Sequence, residues 1–196
     1  MTTPGQHDLP LGRLEGWMRD HIAGFRGPLA AEQFTGGQSN PTYEVRSAAG
    51  SYVLRRKPLG QLLPSAHAVD REYRVMCALA GTAVPVPRVY ALCEDDMVTG
   101  SAFFVMEFLD GRIFWDPRLP GLPVAERRAM FQSMNTVIAA LHSVDHAAVG
   151  LAEFGRPGNY MARQVARWSR QYQASETEPQ PAMDRLIEWL PRHLPP

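Results

Sequence analysis

The sequence contains little cysteine and no excess of either charge, and both shortages narrow its possible functions. Cys77 and Cys93 are the only two cysteines among 196 residues. Both lie in apolar, periodic segments without Cys or His neighbours at metal-ligand spacing, so we expect reduced core thiols in a cytoplasmic setting. Lys plus Arg and Asp plus Glu number 20 each. The chain therefore has no net positive charge to attract nucleic acid or an anionic membrane, and we expect neither as a partner.

The sequence also lacks a long hydrophobic run. Its longest apolar stretch, residues 102–109, is interrupted by Glu107 and is too short to cross a bilayer. The N-terminus has no basic segment followed by an apolar one, which a secretory signal would need. With 45% hydrophobic and 20% charged residues, the composition is that of a soluble, globular, non-secreted protein.

Periodic patterns divide the chain into a strand-rich part and a helical part. The spacing predicts a helix over 11–25, strands over 32–35, 42–47 and 51–56, a helix over 67–80, and strands over 89–93 and 103–108. We expect an α+β fold: a five-stranded antiparallel sheet with the inserted helix packed on it through Tyr73, Met76 and Leu79. Helical spacing then recurs over 124–143, 159–174 and 183–190. The predicted domains are 1–110 and an incomplete helical portion, 111–196.

A glycine-containing segment joins the first two predicted strands. It reads Gly36-Gly37-Gln38-Ser39-Asn40. Its glycines allow a tight turn that aims backbone N–H groups at a phosphate, and the last two residues add polar side chains. The pattern is weak by itself, because ordinary hairpin turns have the same composition.

A cation on the third predicted strand and a carboxylate on the inserted helix form the next candidate pair. Strand alternation places Val53 and Arg55 on one face, where the valine can cover a flat base and the arginine can reach its phosphates. We expect the adjacent Arg56 to be a solvated surface cation. Glu72 lies on the largely apolar side of the inserted helix and needs a cation, and Arg55 is a natural bidentate partner.

Four motifs in this order resemble the nucleotide-binding lobe of the protein-kinase-like superfamily. They are GGQSN, YVLR, DREYR and FVMEFLDG, the last being a buried strand that runs into a polar, glycine-ended joint. The chain is most similar to the N-terminal portion of the aminoglycoside phosphotransferase and choline kinase-like family. Within that family it resembles the kinase-like domains associated with acyl-CoA dehydrogenases.

The resemblance implies an ATP site. Gly36, Gly37, Gln38, Ser39 and Asn40 would cover the phosphates, Arg55 would stand where lysine is usual, and Glu72 would pair with it. Val53 would cover the base, Met106 would line the back of the pocket, Glu107 would offer its carbonyl to the adenine amino group, and Leu109 its N–H to a ring nitrogen. Lys57, farther along the same strand face, is an alternative phosphate contact, although register favours Arg55.

The residues that would perform phosphoryl transfer are missing. The family usually carries H-G-D, a following asparagine and a later aspartate, which orient the acceptor hydroxyl and hold Mg. His142 and Asp145 lie in a stretch that is structural in the family, so we assign no catalytic or metal-binding residue in this chain. The sequence ends about where the catalytic loop is expected. We therefore expect a fragment, a truncated product or a split protein, with the Mg ligands in a C-terminal or separately encoded remainder.

Two functions of different class follow. The first is an ATP-dependent small-molecule phosphotransferase, inactive as the isolated chain, that transfers the γ-phosphate to a hydroxyl. The second is a non-catalytic nucleotide-binding or interaction module. Aminoglycosides, choline-like alcohols, sugars and hydroxyacyl-CoA species all fall within the resemblance as acceptors, and the association with acyl-CoA dehydrogenases favours the last.

Overall fold

The structure is a computed structural model that describes residues 9–35, 39–60, 67–155 and 158–194. It divides into two compact units, residues 1–149 and 150–196. The elements of the first unit are α1 (Leu11–His21), β1 (Ala30–Gln33), β2 (Thr42–Ser47), β3 (Gly50–Arg56), α2 (Val69–Leu79), β4 (Val89–Cys93), α3 (Asp96–Thr99), β5 (Phe103–Glu107) and α4 (Val124–His142). Those of the second are α5 (Tyr160–Ser175), α6 (Pro181–Trp189) and a one-turn 3-10 helix, Leu190–Arg192.

The five strands form one antiparallel sheet in the order β1-β2-β3-β5-β4. A short turn joins β2 to β3, and β1, β2 and β3 pair in sequence order. The last strand, β5, inserts between β3 and β4 and pairs with both. The predicted α+β fold with a five-stranded antiparallel sheet is confirmed, and β2 and β4 have the predicted bounds.

One face of the sheet, which we call the α1 face, carries the hydrophobic core. Leu14 and Met18 of α1 are completely buried, as are Val45, Leu54 and Val105 from three neighbouring strands. Side chains alternate along a strand, so every second residue of β2, β3 and β5 reaches this core. The helix was predicted to extend to Phe25 but ends at His21. Phe25 is nevertheless buried in the same core, after a turn in which its N–H donates to the carbonyl of Ile22 at 3.1 Å.

Arg56 lies on the α1 face, and the expectation that it is a solvated surface cation is wrong. Its exposed fraction is 1%, because alternation gives it the same side of β3 as Leu54. Its Nη1 donates to the carbonyl of Thr99 at 2.9 Å and its Nη2 to the hydroxyl of Tyr43 at 3.2 Å. Thr99 ends α3, a short helix between β4 and β5 that the sequence patterns did not predict. Asp95 caps it by accepting from the N–H of Met97 at 2.8 Å.

The opposite face, which we call the α2 face, is covered by the inserted helix. Leu79 is buried, and the ring centroid of Tyr73 lies 6.0 Å from that of Phe104 on β5. The helix contacts β4 and β5. The sequence predicted that both cysteines are core thiols. Both are free thiols, and Cys93 is buried as predicted, but Cys77 is exposed because α2 turns it away from its packed side.

The helices beyond the sheet expose apolar side chains. On α4, Phe131, Met134, Ile138 and Leu141 are each at least 46% exposed. In the second unit α5 and α6 share an apolar groove lined by Val165, Trp168, Tyr172, Met183, Leu186 and Ile187 among others. Over the described ranges, none of the helices combines the length and apolar character that a membrane crossing requires. The predicted lobe boundary near residue 110 stays a prediction.

Candidate nucleotide site

An ion pair on the α2 face joins the third strand to the inserted helix. Arg55 Nε lies 2.5 Å from Glu72 Oε2, and Arg55 Nη2 donates to Oε1 at 3.3 Å. The contact is bidentate, which fixes the plane of the guanidinium as well as its position. The side chains keep 28% and 34% of their surface exposed. The predicted pairing of Arg55 with Glu72 is confirmed, and it leaves the cation accessible to a ligand.

Val53 lies beside Arg55 on the same face, as alternation requires. It is nearly buried, and it pairs in register with Met106 of β5, while Arg55 pairs with Phe104. The predicted base-covering residue and the predicted back-wall residue are thus direct cross-strand neighbours. The arrangement provides an apolar surface next to a held cation.

The end of the glycine-containing segment reaches this ion pair. Gly36, Gly37 and Gln38 lie outside the described residues, whereas Ser39 is exposed and Asn40 is only 3% exposed. Asn40 Nδ2 donates to Glu72 Oε1 at 2.9 Å. Asn40, just before β2, is therefore tied to the same carboxylate that holds Arg55.

Sequence reasoning missed two residues of this network. The hydroxyl of Thr42 accepts from Arg55 Nη1 at 3.0 Å and donates to the carbonyl of Asn40 at 3.0 Å. His67 Nδ1 lies 2.9 Å from Asn40 Oδ1. Thr42 could have been found by counting across the β2–β3 hairpin, where it pairs with Arg55. His67 precedes α2 and carries no sequence signal for this contact.

The two residues predicted to contact adenine lie at the end of β5 and just after it: Glu107 is its last residue, and Leu109 follows two positions later. The backbone N–H of Glu107 donates to the carbonyl of Arg88 at 2.8 Å, and its carboxylate accepts from the N–H of Arg88 at 3.1 Å. Leu109 is exposed. Their contacts with adenine stay predictions. Lys57, the alternative phosphate contact, follows the last residue of β3, and its N–H donates to the carbonyl of Ala102 at 2.9 Å.

Asp145 has a structural role in the loop that follows α4. Its carboxylate accepts from the N–H groups of Ala147 and Ala148 at 2.9 and 3.1 Å. These two bonds favour the ionised form and hold the pKa of Asp145 below its ordinary value. Within the described ranges no group of three or more His, Cys, Asp or Glu residues could hold a metal ion.

Comparisons with known proteins show which family the chain resembles. Residues 30–196 match the phosphotransferase enzyme family. The chain is 51% identical over 182 residues to acyl-CoA dehydrogenase family member 10 of Mus musculus, covering 93% of this chain and 17% of that protein. It is 43% identical over 194 residues to acyl-CoA dehydrogenase family member 11 of Rattus norvegicus, covering 97% of this chain and 25% of that protein.

A solved structure from Ralstonia eutropha, named as an aminoglycoside phosphotransferase, superposes with a TM-score of 0.77 at 54% identity. The match covers 96% of this chain and 54% of that one. The chain therefore spans a quarter or less of the two curated relatives and about half of the solved protein. The family match covers most of the residues, including the sheet, the Arg55–Glu72 pair and the helices that follow. The chain belongs to the phosphotransferase enzyme family.

Proposed function

We propose that this chain is the nucleotide-binding portion of an ATP-dependent phosphotransferase that acts on a small-molecule hydroxyl. The observation that carries the proposal is the bidentate Arg55–Glu72 pair on the α2 face, to which Asn40 is joined by a hydrogen bond to Glu72. A held, partly exposed guanidinium that shares its carboxylate with Asn40, the last residue of the glycine-containing segment, suits the charge of a triphosphate. Val53 and Met106 supply the apolar surface that a purine base needs.

Magnesium is the cofactor that accompanies ATP in this chemistry, where it neutralises charge on the phosphates. The described residues offer no cluster of acidic or imidazole ligands for it. We therefore assign it no ligands here and derive no step through it. The chain's own contribution is to bind and orient the nucleotide, and we expect negligible phosphoryl transfer by the 196 residues alone.

For the acceptor we propose a hydroxyacyl thioester as the first compound to test. Phosphoryl transfer needs a hydroxyl, and two relatives bear the name acyl-CoA dehydrogenase. A longer version of the protein, incubated with labelled ATP and a panel of hydroxyacyl-CoA, choline-like, sugar and aminoglycoside acceptors, would identify the acceptor class. Phosphorylation of a different class would refute the thioester assignment and leave the nucleotide site untouched.

Titration calorimetry with MgATP and MgADP tests the nucleotide site itself. Replacing Arg55 with Met removes the cation and keeps an apolar stem of similar length, so affinity should fall about tenfold or more. Arg46→Met is the matched control: Arg46 is also a strand arginine, paired with Glu44 and Glu32 at 3.0 and 3.2 Å. Equal nucleotide binding by the two variants and the unmodified chain would refute the assignment of Arg55.

A non-catalytic nucleotide-binding module is the second candidate, and the lack of a metal-ligand cluster in the described residues favours it. The coding sequence that follows Pro196 separates the two. An in-frame H-G-D with a later asparagine supports the enzyme. Nucleotide binding without phosphoryl transfer by the full-length gene product supports the module.

A further inference from the structure

Four residues on the α2 face form a closed ring of hydrogen bonds. Asn40 Nδ2 donates to Glu72, and Glu72 accepts from Arg55. Arg55 Nη1 donates to Thr42, whose hydroxyl donates to the backbone carbonyl of Asn40. The ring therefore begins and ends on Asn40. Such a ring holds each member more firmly than separate pairs would, because displacing one side chain breaks two bonds.

We propose that Asn40 and His67 are positioning residues that orient Arg55 through Glu72. The inference rests on the proposed function for its purpose, since Arg55 is there the phosphate contact. It assigns His67 a role in the site and gives the buried side chain of Asn40 a task other than touching phosphate. Asn40 is 3% exposed, and both polar groups of its side chain are engaged, one by Glu72 and one by His67.

The chemistry of Glu72 fixes the direction of every bond in this chain of contacts. An ionised carboxylate only accepts, so the Asn40 group that faces it must be the NH2 group. The carbonyl oxygen of the same amide then faces His67 and also only accepts. His67 Nδ1 must therefore carry the proton. The imidazole is therefore the donor in this contact, and Asn40 Oδ1 is the acceptor.

The backbone at His67 is shaped for this contact. Its φ is +59°, a left-handed conformation that is uncommon for residues other than glycine. Its carbonyl accepts from the N–H of Val69 at 2.9 Å, where α2 begins. The imidazole thus couples the start of α2 to Asn40 at the end of the glycine-containing segment. Strain of this kind persists where surrounding contacts hold it in place.

Two variants at His67 distinguish a role in positioning Arg55 from a role in stabilising the fold. His67→Gly removes the donor and accepts the left-handed backbone, whereas His67→Asn restores a donor near the Nδ1 position and also tolerates positive φ. Asn40→Leu breaks the ring at its buried member. His146→Asn, an exposed loop histidine, is the matched control.

The primary readout needs no nucleotide: it is the solvent exchange of the Arg55 Nε–H group, followed by nitrogen-15 NMR and assigned with Arg55→Lys. We expect exchange to accelerate about tenfold in His67→Gly and Asn40→Leu, with return toward the unmodified rate in His67→Asn. MgATP affinity, measured well below the unfolding transition, should fall in the same order.

Unchanged Arg55 exchange in folded His67→Gly, or equal exchange in the Gly and Asn variants, would overturn the proposal. If Asn40→Leu does not fold, the two His67 variants decide the matter alone, since His67 is only half-buried. Failure of the unmodified chain to bind any nucleotide would refute the proposed function. The exchange rates would still decide whether these two residues position Arg55.

Discussion

On the α1 face of the sheet, Leu14, Val45 and Leu54 are completely buried, whereas on the α2 face Arg55 and Glu72 keep 28% and 34% of their surface exposed. The same strands supply both faces, because alternate residues of β2, β3 and β5 point to opposite sides. The α1 face provides the stability of the sheet. That stability allows the α2 face to keep polar groups partly exposed and held by hydrogen bonds. Substitutions of equal size on the two faces should therefore have different consequences.

The largest difference is expected between the neighbouring arginines of β3. Arg56→Ala leaves a cavity and removes the donor that the buried carbonyl of Thr99 accepts from, so it should cost about 3 kcal/mol of unfolding free energy. Arg55→Ala on the exposed side should cost about 1 kcal/mol or less. Urea unfolding of both variants measures the two values. Equal losses of unfolding free energy in the two variants would contradict the claim that the α1 face contributes more to stability than the α2 face.

Val45 and Val53 allow the two faces of the sheet to be compared with uncharged side chains of the same size. Val45 is fully buried in the core, and Val53 on the opposite face retains slight exposure beside the site. Val45→Ala should cost about 2 kcal/mol of unfolding free energy and Val53→Ala about 1 kcal/mol. Only Val53→Ala should lower MgATP affinity, as seen by calorimetry. Weaker nucleotide binding in Val45→Ala, with the protein fully folded, would argue against a base stacked on Val53.

Glu72→Ala should lower the free energy of unfolding less than Arg56→Ala or Val45→Ala does. Partial exposure and solvent screening limit the ion pair to about 1 kcal/mol or less of unfolding free energy. In a longer version of the protein that performs phosphoryl transfer, the same change should reduce turnover sharply, because Arg55 and the triphosphate lose their positioning. Glu126→Ala on α4, whose pairing with Arg112 spans 3.8 Å, is the surface control. Turnover in Glu72→Ala equal to that of the unmodified protein would end the claim that this residue serves ATP.

Most of the architecture could be predicted from the sequence, because strand alternation and helical spacing report directly on burial. The strands and the Arg55–Glu72 pair followed from such patterns and from motif order. The burial of Arg56 did not, because its acceptor, the carbonyl of Thr99, lies 43 residues away in a turn whose shape composition does not specify. His67 was missed for the same reason: its partner Asn40 is 27 residues distant and only the folded chain brings them together.

The smallest effect is expected at the two thiols, where substitution changes little and chemical reactivity carries the comparison. Burial raises the pKa of the Cys93 thiol above its ordinary value, and the carboxylates of Asp95, Asp96 and Glu94 add to this rise, which outweighs the opposing effect of the backbone contact with Asp95. A raised pKa leaves less thiolate at any given pH, and thiolate is the form that reacts. Cys77 is exposed on α2, outside the core. Iodoacetamide at pH 8 should therefore alkylate Cys77 at least about tenfold faster than Cys93, as measured by peptide mass spectrometry over time. Cys77→Ser isolates the slow site, and denaturant should abolish the difference, since unfolding exposes both thiols. Equal alkylation rates in the folded chain would show that the end of β4 opens readily and that the α1 face is less closed than its burial indicates.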